Sequence, residues 1–392
     1  MKNKKILLFL VVLPLLFLFS CKTTNEIHNE TYDVNINISD INQAFVPAST
    51  KARTATVGVS LYTKSSLIRS WYLTATGSGV VYKGNAYLKN GTTISIEESQ
   101  GHEDVDYYEY YVLTNAHVVN SNAKNKDIKI YLASIDTLVS SNLLGINAYE
   151  DLAVVKFSSS IYIKPLDFSE TEPLVGEIVL ASGNPLGYDY ASTVTMGIIS
   201  CSDRFLDVSR DTNGDGRDDW NGTVQVIQHD ASINSGNSGG ALVNVKGELV
   251  GINAMKVTDK EESVEGIGFA IPIKVISNVL EDMENGQDAK VNLITGAVIY
   301  NVNELINREV LNLTKLPVVD FTGISYTSGA YVYTNTKEEY GLKAGDIVLK
   351  INDNDIYTTG MLEAMLRSYK GSKLTWQVYR NGTLQEVEYI FK

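Results

Sequence analysis

The chain has 392 residues and a hydrophobic fraction of 44%, which is enough for two or three domains with large cores. Its formal net charge of −13 disfavours binding to nucleic acid or to anionic membrane surfaces through general electrostatics. Short alternating runs separated by Gly, Asn and Asp outnumber long helical periodicities. This pattern predicts a mostly β protein.

The N-terminus has the pattern of an export signal. Residues 1–5, MKNKK, are basic, and the apolar run that follows, ILLFLVVLPLLFLF, is shorter than the about 20 residues of a membrane-spanning helix. It ends in LFSC, which resembles a bacterial lipobox. Residues 1–20 are therefore predicted to be a lipoprotein signal peptide and Cys21 its lipid-bearing product, with a plain secretory signal as the alternative. Cys201 is the other cysteine, so acylation of Cys21 leaves no internal disulfide.

The middle of the chain is predicted to fold as one β domain. Residues 21–54 are polar with little sustained period and are interpreted as a tether, in which a short piece around INQAFV (41–46) could pack on the domain. From residue 55, short strands with turn signals continue to residue 272, which favours a barrel or a sandwich. Residues 273–285 carry an apolar stripe at i, i+3, i+4 and i+7 before Gly286, which indicates a closing amphipathic helix. The domain is expected to span residues 55–286.

Residues 287–392 follow a different pattern after a short polar linker. Strand-like GAYVYTN and helical GMLEAMLRSY are followed by two alternating runs around Asn381-Gly382, a strong hairpin signal. A small α+β domain is predicted.

Three polar residues in the β domain could act together in nucleophilic catalysis. His117 ends an apolar strand in LTNAHVV, Asp151 precedes a strand in EDLAVVKF, and Ser238 lies in GNSGG. Each alone is more often structural. A serine nucleophile, however, needs a base, and the base needs a third group to fix its tautomer. The order His, Asp, Ser along a β-rich chain is the chymotrypsin-type order.

The segment SINSGNSGGAL, residues 232–242, also supplies what acyl transfer needs beyond these side chains. Its glycines allow successive N–H groups to converge on one point. The amides of Gly236 and Ser238 are predicted to form an oxyanion hole.

At this point the chain resembles an HtrA/Deg family serine protease from about residue 55 to its C-terminus. The matching blocks, in order, are GSGVV (77–81), LTNAHVV (113–119), DLAVVKF (151–157), GNPLG (183–187), VTMGIIS (194–200), INSGNSGGAL (233–242), GELVGINA (247–254) and GIGFAIPI (266–273). The C-terminal domain resembles a single PDZ domain, most clearly in GLKAGDIVLKINDNDI (341–356).

The resemblance implies a trypsin-like double β-barrel followed by a PDZ domain. It implies a homotrimeric, ATP-independent serine endopeptidase that cleaves unfolded or misfolded exported proteins. Together with the lipobox-like LFSC, this predicts a lipid-anchored protease of the bacterial cell envelope, and no cofactor is expected to be required. Ser232, six positions before Ser238, is not acidic, so a pocket for basic residues is not indicated. The alternative function is a PDZ-bearing chaperone or adhesin that uses the protease fold as a scaffold.

The family pattern also implies a peptide site in the PDZ domain. Residues 321–324, FTGI, would be the loop whose amides, at Gly323 and Ile324, capture a peptide C-terminus. Two residues depart from the family pattern, His229 and Ser235, where Thr and Pro are usual. His229 is interpreted as a structural strand residue rather than a metal ligand or second base.

An acidic segment, DTNGDGRDDW (211–220), matches the start of a calcium loop. Asp211, Asn213 and Asp215 alternate before Gly216, and Asp219 could be a further ligand. The glutamate expected at the twelfth position is absent, since Gly222 stands there. A calcium site and a charged turn both remain open. We expect bound calcium to stiffen this loop and to favour the active conformation.

Overall fold

The computed structural model describes residues 38–64, 70–185, 187–258, 263–287, 296–367, 369, 371 and 373–390. It has 48% strand and 17% helix, which confirms the predicted mostly β class. The predicted signal peptide, Cys21 and the first part of the predicted tether lie outside the described residues. No helix in the described ranges has both the length and the apolar character needed to cross a bilayer.

The first β-barrel contains six antiparallel strands in the order β1-β5-β6-β7-β4-β2, closed by the pairing of β1 with β2. A short strand, β3, extends its edge beside β2. Alternate side chains point inward and form an apolar core that includes Val112, Ile130 and Val155. The strands are β1 (Thr56–Lys64), β2 (Trp71–Leu88), β3 (Thr93–Ser95), β4 (Val105–Thr114), β5 (Lys126–Leu132), β6 (Thr137–Asn147) and β7 (Leu152–Ser159), with the short helices α2 (Ile96–Ser99) and α3 (Ala116–Val119).

The second β-barrel is closed in the order β10-β13-β12-β11-β8-β9. Its strands are β8 (Ile178–Gly183), β9 (Thr193–Arg210), β10 (Trp220–His229), β11 (Ala241–Asn244), β12 (Leu249–Thr258) and β13 (Ser263–Pro272), with a 3₁₀ turn at Tyr188–Tyr190 before β9. β9 and β10 are longer than the barrel needs. Residues 204–210 of β9 and 220–226 of β10 pair only with each other. They form a two-stranded ribbon that projects from the barrel, with residues 211–219 at its tip.

Two helices cover the barrels. The predicted amphipathic helix is α4 (Ile273–Glu284), which buries Val275, Ile276, Val279 and Met283. The tether predicted for residues 21–54 is wrong over residues 38–54, because α1 (Ile38–Ala55) is a helix packed on β8 and β11 of the second barrel. Its contact face consists of small side chains, Ala48, Ala52 and Ala55, with Phe45 beside them.

The C-terminal domain is built on one sheet in the order β14-β15-β16-β18-β19, with β17 beside β16. The fully buried Trp376 is the largest side chain of its core. Asn381 and Gly382 both have positive φ, as a tight hairpin turn between β18 and β19 requires. Its elements are β14 (Ala297–Asn301), α5 (Val302–Ile306), β15 (Ala330–Asn335), a 3₁₀ segment (Glu339–Gly341), β16 (Ile347–Ile351), β17 (Asn354–Asp355), α6 (Thr359–Arg367), β18 (Lys373–Arg380) and β19 (Thr383–Ile390).

Candidate active site

His117 and Asp151 meet at one end of the first barrel. His117 lies in α3, directly after β4, and Asp151 occupies the turn before β7. Because β4 and β7 are neighbours, the two side chains come together: His117 Nδ1 lies 2.9 Å from Asp151 Oδ2 and 3.0 Å from Oδ1. The backbone N–H of His117 also donates to Asp151 Oδ1, at 2.9 Å. Asp151 is therefore held by both the ring and the backbone of the histidine.

The two groups shift each other's pKa. Burial lowers the pKa of His117, but the charge of Asp151 and its hydrogen bond outweigh this, so the pKa of His117 is raised above its ordinary value. Burial raises the pKa of Asp151, but the charge and hydrogen bond of His117 bring the pKa of this carboxyl below its usual range. The pair is thus polarised towards imidazolium and carboxylate.

A third charged group, Arg210, faces the same carboxylate from the second barrel. Arg210 Nη1 lies 3.9 Å from Asp151 Oδ2, and the arginine is 9% exposed. This Nη1 has no hydrogen-bond partner among the described residues. Its charge lowers the pKa of both Asp151 and His117. Sequence reasoning missed Arg210, since nothing in its local sequence indicates a contact 59 residues away.

The loop that carries Ser238 is fixed from both barrels. The Ser78 hydroxyl donates to the Gly236 carbonyl at 2.7 Å and accepts from the backbone N–H of Asn184 at 2.8 Å. The Ser78 N–H donates to the Ser238 carbonyl at 2.8 Å, and the Gly239 N–H donates to the Asn253 carbonyl at 2.7 Å. Ser78 and Asn184 were not predicted as site residues. They belong to the blocks GSGVV and GNPLG, which were the available signal.

The polar groups of this loop are arranged for an incoming acyl group. Gly236 has φ 99°, a conformation that favours glycine. Its N–H and that of Ser238 donate no hydrogen bond within the described residues. The Ser238 hydroxyl donates to the Ala254 carbonyl at 3.1 Å. Among the described residues, no hydrogen bond joins this hydroxyl to His117. The structure therefore brings His117 and Asp151 together directly and places Ser238 with its hydroxyl turned towards β12.

A cleft between the barrels, with a volume of about 940 Å³, opens onto His117 and Asp151. His117 and Asp151 line it from the first barrel, and Arg210, Ala254 and Phe269 line it from the second. The cleft is large enough for several residues of an extended peptide.

The acidic loop at the tip of the ribbon is closed by its own hydrogen bonds. Asp211 accepts from the N–H groups of Gly214, Asp215 and Gly216, and Asp219 accepts from Thr212 and Asn213. The N–H of Thr212 is the main cause of a lowered pKa at Asp219. No group of three acidic, histidine or cysteine side chains converges as a metal site in the described ranges. The calcium site at Asp211, Asn213, Asp215 and Asp219 stays a prediction.

The same loop docks beside His117. The Asn122 N–H donates to the Gly214 carbonyl at 2.9 Å, and Asn120 Nδ2 donates to the Asp211 carbonyl at 3.1 Å. Gly214 has φ 78°, and a Cβ there would lie 2.8 Å from the Ser121 carbonyl carbon. The ribbon of the second barrel therefore rests on the segment that follows α3.

Three further predicted residues lie elsewhere. His229 is fully buried at the end of β10, where burial lowers its pKa to about 4 against the opposing effects of Asp230, the Ala231 backbone and Asn253. In the C-terminal domain, Gly323 has φ 78° and the Ile324 N–H donates to the Phe321 carbonyl at 3.0 Å, which closes a tight turn.

Comparison with protein families identifies both domains. Residues 77–252 match a trypsin-like peptidase domain, and residues 319–390 match a PDZ domain. The double-barrel and PDZ architecture predicted from the sequence is confirmed.

Curated relatives match over both domains. The chain is 31% identical over 375 residues to the serine protease Do-like HtrA of Lactococcus lactis subsp. cremoris (strain MG1363), and this covers 92% of the chain and 84% of that relative. It is 33% identical to the protein of the same name from Lactococcus lactis subsp. lactis (strain IL1403), over 79% of the chain and 69% of the relative.

A Bacillus subtilis (strain 168) serine protease Do-like HtrA is 33% identical over 69% of the chain. Among solved structures, the HtrA-type protease AlgW with decapeptide shares the fold. Its TM-score is 0.54 at 24% identity, over 88% of this chain and 96% of that one.

Proposed function

Because the chain belongs to the family of Do-like HtrA serine proteases, we propose that Ser238 is its nucleophile, His117 its general base and Asp151 the group that orients the base. The observation that carries this assignment is the double contact of Asp151 with the ring and the backbone N–H of His117. The bond at Nδ1 fixes the tautomer, so that Nε2 faces the cleft with a free lone pair.

The reaction then proceeds by acyl transfer. Ser238 Oγ attacks the scissile carbonyl carbon while its proton passes to His117 Nε2, and the imidazolium returns this proton to the departing amine. Water repeats the sequence on the acyl-enzyme. The raised pKa of His117 strengthens it as a base, and the Asp151 carboxylate stabilises the imidazolium.

The Ser238 hydroxyl must turn from the Ala254 carbonyl towards His117 before it reacts. Contacts between nucleophile and base are commonly long before substrate binds. Substrate bound beside Ala254 would compete for its carbonyl and favour this movement.

The oxyanion of the tetrahedral intermediate would be bound by the N–H groups of Gly236 and Ser238. Both lack a partner within the described residues, and the Gly240 N–H donates to the Asn237 carbonyl at 2.9 Å, which fixes the peptide plane that carries the Ser238 N–H. Each such donor contributes about 3 kcal/mol to lowering the barrier.

The substrates we assign are unfolded or misfolded exported proteins, with peptide C-termini bound at the PDZ domain through the turn at Gly323 and Ile324. The match to a PDZ domain and the deep cleft between the barrels support peptide and protein substrates. The alternative scaffold function is not favoured, because the matched relatives are serine proteases.

The location we assign is the bacterial cell envelope, with the chain lipid-anchored through Cys21 and assembled as a homotrimer. The basic and apolar N-terminus with its LFSC sequence supports the anchor. Metabolic labelling with an alkyne fatty acid tests it, since Cys21→Ser should abolish incorporation. A solution mass near three times 43.1 kDa would support the trimer, and a monomeric mass would contradict it.

Calcium at the acidic loop is assigned the role of stiffening this loop, which would favour the active conformation. Asp211, Asn213, Asp215 and Asp219 would hold the ion, which would hold the ribbon tip against residues 120–122. Isothermal titration with calcium alone, on wild type and Asp215→Ala, tests this. Heat of binding that the substitution removes would support the site, and no heat with wild type would refute it.

The catalytic assignment is tested by casein digestion and by a fluorophosphonate probe. Ser238→Ala should abolish both activities while the melting temperature stays near that of wild type, because the hydroxyl is not part of a core. A PDZ-binding peptide should increase the labelling rate of wild type. Equal casein loss with wild type and Ser238→Ala, or labelling at another residue, would contradict the assignment.

A further inference from the structure

The turn that presents Asp151 is held in an uncommon backbone conformation. Asp151 has φ 57°, in the left-handed region that non-glycine residues rarely adopt. Asn115 Nδ2 donates to its carbonyl at 2.9 Å, and the N–H of Glu150 donates to Asn147 Oδ1 at 3.1 Å. A turn of this kind persists only where surrounding contacts fix it.

One of those contacts comes from the PDZ domain. Arg367, in the last turn of α6, donates from Nε to Glu150 Oε1 at 2.6 Å, and both side chains are only 4% exposed. Its Nη2 donates to the Thr223 carbonyl of β10, also at 2.6 Å. A residue 217 positions away thus neutralises the carboxylate directly before Asp151.

Two aromatic rings complete this contact. The guanidinium carbon of Arg367 lies 4.9 Å from the centre of the Trp220 ring, and Trp220 meets Tyr149 edge-on at 5.5 Å. At the other end of α6, a Cβ on Gly360 would lie 1.9 Å from Thr223 Oγ1, so the helix and β10 are in close contact. Tyr149 and Glu150, the two residues before Asp151, are therefore both fixed at the interface with α6.

Burial makes this arrangement sensitive to the loss of one partner. A carboxylate removed from water needs a cation beside it, and an unpaired one must be protonated or move towards solvent. Glu150 shares a peptide bond with Asp151, so any movement of Glu150 displaces the Asp151 turn. Glu363, one turn earlier on α6, is a second acidic group that interacts electrostatically with Arg367.

We propose that Arg367 of the PDZ domain is a positioning residue for the Asp151 carboxylate, which it holds in place through Glu150. The assignment rests on the proposed triad. While α6 is docked on β10, Asp151 is aligned with His117; when α6 separates, Glu150 loses its counterion and the alignment relaxes.

The experiment uses the full chain and a short fluorogenic peptide that does not need the PDZ site. Arg367→Gln should lower kcat by about 10- to 100-fold, the scale expected for a small misplacement of a catalytic group, and change KM by less than about twofold. Arg367→Lys, which keeps the charge, should recover part of kcat. Glu150→Gln with Arg367→Gln should recover more, because no buried charge is left unpaired.

The matched control is Arg380→Gln. Arg380 makes a similar pair with the buried Asp346, at 2.6 Å and 2.7 Å, but this pair lies wholly within the PDZ domain. It should lower the melting temperature of that domain and leave kcat near wild type. Equal loss of kcat in both arginine variants, an unchanged kcat in Arg367→Gln, or a double variant no better than Arg367→Gln would overturn the proposal.

Ser238→Ala separates this inference from the function on which it rests. If Ser238→Ala retains activity, the proposed triad is wrong. If it is inactive and Arg367→Gln is fully active, only the positioning role is wrong. Should Arg367→Gln not fold, the double variant and Arg367→Lys still report on the pair through kcat.

Discussion

Two charged groups, the Asp151 carboxylate and the Arg210 guanidinium, act on the pKa of His117 in opposite directions. Asp151 raises the pKa of His117, whereas Arg210, 3.9 Å from the same carboxylate, lowers it. The pKa of His117 is therefore lowered by an arginine that makes no hydrogen bond to it. A histidine acts as a base only when neutral, so activity should rise with pH through this pKa.

The pH profile gives the first prediction. For wild type, the acid limb of kcat/KM should have its midpoint above about 6.5, the ordinary histidine value. Arg210→Gln removes the charge that lowers the pKa of His117, so the midpoint should move to higher pH. Asp151→Asn removes the charge that raises it, so the His117 ring, followed by NMR, should titrate at lower pH.

The direction in which the midpoint moves decides this prediction. If Arg210→Gln moves the midpoint to lower pH or leaves it in place, Arg210 does not act electrostatically on the pair. Thr195→Ala is a suitable control, because its hydroxyl only donates to the Ser232 carbonyl at the exposed start of the loop.

Among single residues, sequence analysis could find those that lie in a recognisable sequence motif. His117, Asp151 and Ser238 each lie in a short block with a recognisable order. Arg210 and Arg367 lie in unremarkable surroundings and reach the site only through strand pairing or domain docking, and the block GSGVV does not by itself reveal the role of Ser78. Their roles depend on contacts between distant segments, and spacing alone does not reveal such contacts.

At the scale of elements, the β9–β10 ribbon links the second barrel to the histidine segment of the first. Its tip contacts residues 120–122, directly after α3, through Gly214 and Asp211. The sequence showed the acidic loop but not its docking.

Two glycines of the tip offer a matched test of this docking. Gly214 and Gly216 both have positive φ, so alanine at either position costs about 1 kcal/mol of backbone strain. Only at Gly214 would the added Cβ collide with residues 120–122, whereas Gly216 has open space. Gly214→Ala should therefore lower kcat/KM about tenfold relative to Gly216→Ala. Equal kcat/KM values would show that docking does not matter for the base.

Helix α1 illustrates why its segment was interpreted as a tether. Its buried face is made of Ala48, Ala52 and Ala55, spaced at i, i+4 and i+7, and alanine is too small to stand out in a polar run. The helix can approach β8 and β11 closely only if its side chains there are small. This requirement comes from tertiary packing, so the local sequence does not reveal it.

A charge on this face tests its contribution to stability. Ala52→Glu buries a carboxylate without a partner and should lower the free energy of unfolding by at least about 3 kcal/mol. Arg53→Glu, on the exposed side of the same turn, should change it by less than about 0.5 kcal/mol. Urea denaturation followed by circular dichroism measures both. Equal effects would mean that α1 does not pack on the barrel in solution.

At the scale of the whole molecule, the contact of α6 with β10 links the PDZ domain to the turn that carries Asp151. Hydrogen exchange measured by mass spectrometry should show this coupling between the domains. Arg367→Gln should speed exchange at residues 147–151 and 220–223, because the buried pair no longer holds them. Arg380→Gln should speed exchange only within residues 296–390. Exchange confined to the PDZ domain in both variants would exclude long-range support of the turn.

The position of α1 limits how far the proposed anchor could reach. The described helix includes Ile38, so at most residues 22–37 lie between the proposed lipid at Cys21 and this helix. Sixteen residues span at most about 55 Å even when fully extended. Under the proposed anchoring, cleavage would therefore be confined to substrates close to the membrane that holds the lipid.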